Sequence, residues 1–220
     1  LFVLPSYRDR RFIAYWDAIQ QRIKLASFNR ETQTFDLQTN SASPILSAES
    51  GALKLAVTEL RNPLIVYYDG NALGLRMARF SLADVTWTVS SIPGLGFEID
   101  THFGLAVDDI SQEPALAAYD LTSSQLVYAV FSNGTWLMEP IVSLPGGLIT
   151  GLELELGLGS TDRPRVLVGT NDGRVRFFLR DEVGWREELL TTDSLHHDLS
   201  FDLDDRAHLA LALSGGSPEY

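Results

Sequence analysis

Leu105–Trp136 reads LAVDDISQEPALAAYDLTSSQLVYAVFSNGTW, and Leu55–Trp87 reads LAVTELRNPLIVYYDGNALGLRMARFSLADVTW. Each runs from an apolar strand through a turn acid to Pro. An apolar stretch closed by Tyr-Asp comes next, then a hairpin, apolar-x-x-Ala, a turn and Trp. The register extends along the chain. Trp87, Trp136 and Trp185 are 49 residues apart, and Asp17, Asp69, Asp120 and Asp172 are separated by 52, 51 and 52. The first three acids follow Trp16, Tyr68 and Tyr119, and nine residues after each comes an alanine, Ala26, Ala78 and Ala129. The fourth unit has RVRFFLR at 174–180 after a shorter turn. Three registers moving together make an internal repeat.

Inside the repeat the local period is two. Leu152, Leu154, Leu156 and Leu158 alternate with Glu153, Glu155 and Gly157, and Leu209, Leu211 and Leu213 alternate with alanines. Pro63 and Pro164 open β-branched runs, where a strand start tolerates the missing N–H. Asn171-Asp172-Gly173 and Asn133-Gly134 are turn chemistry, because these residues accept positive φ. One weak helical pattern, around Trp16–Lys24, yields to the repeat. The second unit resolves into strands at Leu53–Glu59, Leu64–Tyr68, Leu75–Phe80 and Trp87–Ile92. Four antiparallel strands in about 50 residues are a propeller blade, whose radial stacking hides its sheet edges. The expected fold is all-β: one β-propeller domain with blades at about 1–45, 46–94, 95–144 and 145–194, and half of a fifth at 195–220. Five whole blades at this period need about 250 residues. The expectation is therefore a longer natural protein of six or seven blades, its missing strands supplied by more chain or another subunit.

Composition narrows the function classes. The 220 residues are 45% hydrophobic, enough for a core, and no apolar run reaches the length of a membrane helix. Lys and Arg number 17 against 29 Asp and Glu, a net charge of -12. Nucleic acid and anionic membrane surfaces, both read by basic residues, are disfavoured. Cysteine is absent, which removes disulfides, thiolate zinc sites and cysteine nucleophiles. No Gly-x-Ser-x-Gly elbow, phosphate loop or HExxH occurs.

The repeat resembles two propeller groups. One is the sialidase-like or Asp-box group, whose box spans the turn between third and fourth strands. Ser81, Asp84, Thr86 and Trp87 resemble a shortened box without its glycine, and Ser132, Gly134, Thr135 and Trp136 one without its aspartate. The other is the six-bladed fungal fucose-binding lectins, resembled by Leu144–Ile149 followed by Arg165-Val166 and Gly184-Trp185. That resemblance implies sugar binding by an arginine opening the second strand and a glutamate on the third. Only Arg165 matches the arginine; Ile65 holds its place earlier, and Met77, Tyr128 and Phe177 fill the glutamate position. Lectin-like recognition is implied without fucose specificity.

Asp17, Asp69 and Asp120 recur in three blades, as a turn residue does and a lone catalytic acid does not. Of the aromatic pairs before them, one ring packs between blades and the other can reach the rim and stack on a sugar. Trp16, Asp17, Tyr68, Asp69, Tyr119 and Arg165 are the candidate ligand residues. Trp87, Trp136 and Trp185 are expected to be buried at equivalent fourth-strand starts. His196, His197 and Asp198, with Asp202, Asp204 and Asp205, are dense in metal-capable groups. Adjacent histidines on a strand face opposite ways, so no metal site is expected, nor any cofactor. Asn133-Gly134-Thr135 is a glycosylation sequon on a turn, with meaning in a secreted protein. The location stays open, leaning to the extracellular side. The expected function is a non-catalytic binding module with aromatic-lined carbohydrate pockets. The alternatives are a scaffold for a protein partner and a sialidase-like glycoside-processing enzyme.

Overall fold

Strand ends in this chain are set by turn residues, and strand faces by what must be buried. The computed structural model describes residues 2–3, 11–37, 53–58, 62–81, 84, 86–95, 102–108, 110–145, 149–156, 163–191, 194–201 and 207–213. Among them there is no helix, and so none long enough to cross a membrane. The chain divides into two compact units, Leu1–Asp100 and Thr101–Tyr220.

The first unit holds two sheets. One comprises β1 (Phe2–Val3), β2 (Phe12–Asp17), β3 (Arg22–Asn29) and β4 (Thr34–Leu37); the other comprises β5 (Leu53–Val57), β6 (Pro63–Asp69), β7 (Gly74–Ser81) and β8 (Thr86–Ser91). The second unit repeats the plan. Its sheets are β9 (Phe103–Val107), β10 (Pro114–Asp120), β11 (Gln125–Ser132) and β12 (Thr135–Ser143), then β13 (Ile149–Leu156), β14 (Pro164–Thr170), β15 (Val175–Arg180) and β16 (Trp185–Thr191). A two-stranded sheet follows, β17 (Ser194–Phe201) and β18 (Ala207–Leu213). Every four-stranded sheet is an antiparallel meander in which sequence neighbours are sheet neighbours.

Burial differs across each meander. All seven residues of β6 and of β10 are buried, which is why PLIVYYD and PALAAYD read as unbroken apolar runs. On β8 and β12, exposed residues alternate with half-buried ones. The apolar faces meet in pairs. In the first unit Phe12, Ala14 and Leu25 pack against Leu55, Ile65 and Tyr67. In the second, Ala115, Ala117 and Leu126 pack against Leu152, Leu154 and Val166. Enclosing one such aliphatic side chain is worth about 1.5–3 kcal/mol, so these faces hold the sheets together.

The inner strands of the third and fourth sheets approach closely at Gly104. A Cβ placed there would lie 2.7 Å from the Leu154 Cβ and 2.9 Å from the Glu153 carbonyl carbon. Lys54 and Glu153 hold the matching position in their own sheets, opposite Val66 and Leu167 as Gly104 is opposite Ala117. At Gly104 the approach leaves no room for a side chain. Gly134 is a glycine for another reason: its φ is +82° in the two-residue turn after Asn133, with open space around it.

Gly104→Ala is expected to cost about 2–3 kcal/mol by overpacking two backbones. Gly134→Ala should cost about 1–2 kcal/mol, from left-handed strain alone. Urea unfolding of the two variants checks the order. Equal costs would mean that the sheets are not held at Gly104.

Candidate functional site

The repeated acids build turns. Asp17 Oδ1 accepts the Ile19 and Gln20 amides, both at 3.0 Å. Asp69 Oδ1 accepts Asn71 at 3.0 Å and Ala72 at 3.3 Å, and Asp120 accepts Thr122 at 3.1 Å and Ser123 at 3.3 Å. Each carboxylate thus folds a loop of four residues whose last member, Gln21, Leu73 or Ser124, is left-handed with φ of 50°, 51° or 54°. This is the Asx arrangement. Cross-strand cations join two of them, Lys24 on Asp17 and Arg76 Nε on Asp69 Oδ2 at 2.8 Å. The Lys24 bond, followed by the Gln20 amide, holds the Asp17 carboxyl below the usual range. The fourth unit corrects the sequence register. Thr170 occupies the strand end, and Asp172 lies inside a shorter loop, its Oδ1 accepting the Thr170 hydroxyl.

The candidate ligand residues are dispersed. Trp16 and Asp17 end β2, Tyr68 and Asp69 end β6, Tyr119 is on β10 and Arg165 on β14. Tyr68 and Tyr119 are each only 5% exposed, and the Tyr119 hydroxyl donates to the Leu144 carbonyl at 2.9 Å. Both rings pack inward, and neither offers a face to a sugar at the surface. Trp16 is half-buried at the edge of the first-unit core. Arg165 is half-buried beside Val166, which faces the third sheet, so strand alternation turns Arg165 the other way.

Trp87, Trp136 and Trp185 stand at equivalent fourth-strand starts, opposite Phe80, Phe131 and Arg180. All three are half-buried rather than enclosed, because the fourth strand is the outer edge of its sheet. The turns before them carry the box-like residues. Ser81 Oγ donates to Asp84 Oδ2 at 3.0 Å, and Thr135 Oγ1 donates to the Ser132 carbonyl at 3.1 Å. Asn133 is exposed in its turn, with φ of 51°. His196, His197 and Asp198 are on β17, but their side chains, like Asp202, Asp204 and Asp205, lie outside the described residues. Among the described residues no three His, Asp or Glu side chains converge as metal ligands.

One polar constellation was not read from the sequence. It lies between the third and fourth sheets, where Glu139 on β12 meets Arg180 at the end of β15. Arg180 Nε donates to Glu139 Oε1 at 2.6 Å, and a second guanidinium nitrogen donates to Oε2 at 3.2 Å. The Trp185 indole N–H donates to the same Oε1 at 2.9 Å. Below it the Tyr128 and Trp185 rings meet edge to face, centroids 5.6 Å apart. Arg180 and Glu139 side chains remain 44% and 36% exposed, and Leu137, on the same face of β12, is 58% exposed. Glu139 stabilises the protonated guanidinium and raises the Arg180 pKa further. The seam, or crevice, between these two sheets therefore carries a half-exposed carboxylate–guanidinium fork beside two packed aromatic rings and an exposed leucine. The signal for it was a break in the repeat. Arg180 stands where Phe80 and Phe131 stand, and Glu139, opposite Tyr128, stands where Ser90 is opposite Met77.

Solved structures share this architecture. AofleA from Arthrobotrys oligospora superposes with a TM-score of 0.68 at 14% identity over 96% of this chain, which spans 64% of the AofleA chain. The fold is a β-propeller. The fucose-specific lectin from Aleuria aurantia matches at TM-score 0.62 and 13% identity, covering 96% of this chain and 72% of its own. An endo-arabinase from Bacteroides thetaiotaomicron matches at 0.59 and 12%, covering 100% and 90%. No family model matches the sequence, and no curated protein does. The four-stranded sheets are blades, and the crevice described above lies between the third and fourth.

Tyr67 supplies a pH test of blade packing. It is 1% exposed between the first two blades, and its hydroxyl has no hydrogen-bond partner among the described residues. Burial pushes its pKa up to about 12 from 10.0. Below pH 10 both folded and unfolded chains keep the proton, and stability does not depend on this group. Between about pH 10 and 12 the unfolded chain ionises and the folded one does not, so stability falls. Denaturant titrations across that range should show the fall in wild type and a smaller one in Tyr67→Phe. Identical profiles would place the Tyr67 ring in water.

Proposed function

We propose that this chain is a lectin-like, non-catalytic binding module that takes a carbohydrate into the crevice between the third and fourth blades. The observation that carries this reading is the Glu139–Arg180–Trp185 cluster over Tyr128. A sugar ring offers hydroxyls along its edge and C–H groups on its faces. The crevice offers a carboxylate acceptor and guanidinium donors, with aromatic rings and Leu137 beside them. A propeller fold hosts lectins and hydrolases alike, so the choice rests on the site. Retaining and inverting glycosidases use two free carboxyl groups flanking the bond. Here Glu139 is held by Arg180, and Asp17, Asp69 and Asp120 are each committed to a turn. Binding suits these groups better than hydrolysis.

The test is an array of neutral mono- and oligosaccharides, followed by calorimetry on whatever is retained. Trp185→Phe, which loses the N–H on Glu139, should weaken binding by about tenfold, the worth of one good polar contact. Trp87→Phe, at the matching place in the second blade, should bind as wild type does. Retention of no saccharide, or equal effects of the two substitutions, would defeat the proposal.

A further inference from the structure

Resting on the carbohydrate reading, we infer that Glu139 is the specificity determinant of this crevice: it occupies the arginine fork that a ligand carboxylate would take, and so restricts the site to neutral saccharides. An exposed guanidinium beside an aromatic ring is ready-made for a carboxylate, because its paired N–H groups match two oxygens. Arg180 already has such a partner. Glu139 engages Nε and a terminal nitrogen at 2.6 and 3.2 Å, the two-point geometry an acidic sugar would need. The indole N–H of Trp185 adds a third donor to the same oxygen at 2.9 Å, fixing the carboxylate when the crevice is empty of competitors. An incoming uronic acid must displace this internal anion or sit beside it, against like charge. A neutral ring meets neither cost, and its hydroxyls can extend the hydrogen bonding from the outer edges of the fork.

The junction of the first and second blades shows what the pair adds. Between the first and second blades, Phe80 and Leu25 hold the places of Arg180 and Tyr128, and Trp87 holds that of Trp185. The indole is retained there without the guanidinium. Arginine and glutamate therefore come as an addition to the packing plan, and the two charges cancel locally in a chain of net charge -12. As a strut the pair has modest value, since half-exposed ion pairs contribute little to stability. Glutamine in place of Glu139 keeps the acceptor for Trp185 and Arg180 Nε, so the variant should fold.

The experiment compares wild type with Glu139→Gln on two matched pairs, methyl galactoside with methyl galacturonide and methyl glucoside with methyl glucuronide. Wild type should bind neither uronide measurably. Glu139→Gln should bind at least one of them tenfold or more tightly than wild type does. That gain should disappear in Glu139→Gln/Arg180→Met and shrink at high salt. A Glu139→Gln protein that melts as wild type does, yet gains nothing for either uronide, overturns the inference. Its failure is separable from that of the carbohydrate reading. Wild type binding neutral saccharides with no uronide gain in the variant leaves the reading and removes the inference. Uronide capture by the variant, with no neutral saccharide bound by wild type, leaves the internal anion and removes the reading.

Discussion

Face-to-face burial of the sheets is the constraint from which the rest follows. A four-stranded meander has two faces, and in the second and third sheets both are buried along the second strand. Every residue of β6 and β10 is buried. Such a sheet is stable only against another, and pairs of sheets meet through Leu55, Ile65 and Tyr67 in one unit and Leu152, Leu154 and Val166 in the other. The alanines of β10 and the bare backbone at Gly104 let β13 approach closely. Polar chemistry is thereby driven outward. The outer strands and the turns leave many side chains half in water, and Glu139, Arg180 and Trp185 stand there.

The same constraint explains what could be read from the sequence. Strand positions were legible because each blade must solve the same packing problem. The strands expected at Leu64–Tyr68 and Leu75–Phe80 are observed as β6 (Pro63–Asp69) and β7 (Gly74–Ser81). Turn acids were legible because a carboxylate two residues before an amide is a local interaction, needing no knowledge of tertiary structure. Asp17, Asp69 and Asp120 fold their loops as their spacing implied. Asp172 did not follow, since a loop one residue shorter moves the acid off the strand end.

The crevice was illegible for the complementary reason. Repetition marks what packing demands, and it drew attention to Tyr68 and Tyr119, which are enclosed. A binding site on a repeated scaffold lies where the repeat is broken. Arg180 replaces the phenylalanine of the two preceding blades, and Glu139 is 41 residues away on a different sheet. Their meeting depends on how one blade stacks on the next. Trp185 belongs to both descriptions, filling the packing position of Trp87 and Trp136 while its N–H joins the Glu139 carboxylate.

The chain contains four tryptophans, and each indole N–H gives its own nitrogen–proton correlation in an NMR spectrum. The Trp185 indole N–H donates to the Glu139 carboxylate. Single Trp→Phe variants assign the four peaks, and a neutral saccharide retained on the array is then titrated in. A ligand held by the fork must disturb the Trp185 indole, while Trp16, Trp87 and Trp136 stay in place. The account predicts a saturable shift of the Trp185 peak alone. A saccharide that binds while the Trp185 peak stays still, or that moves Trp16 or Trp87 instead, would contradict it.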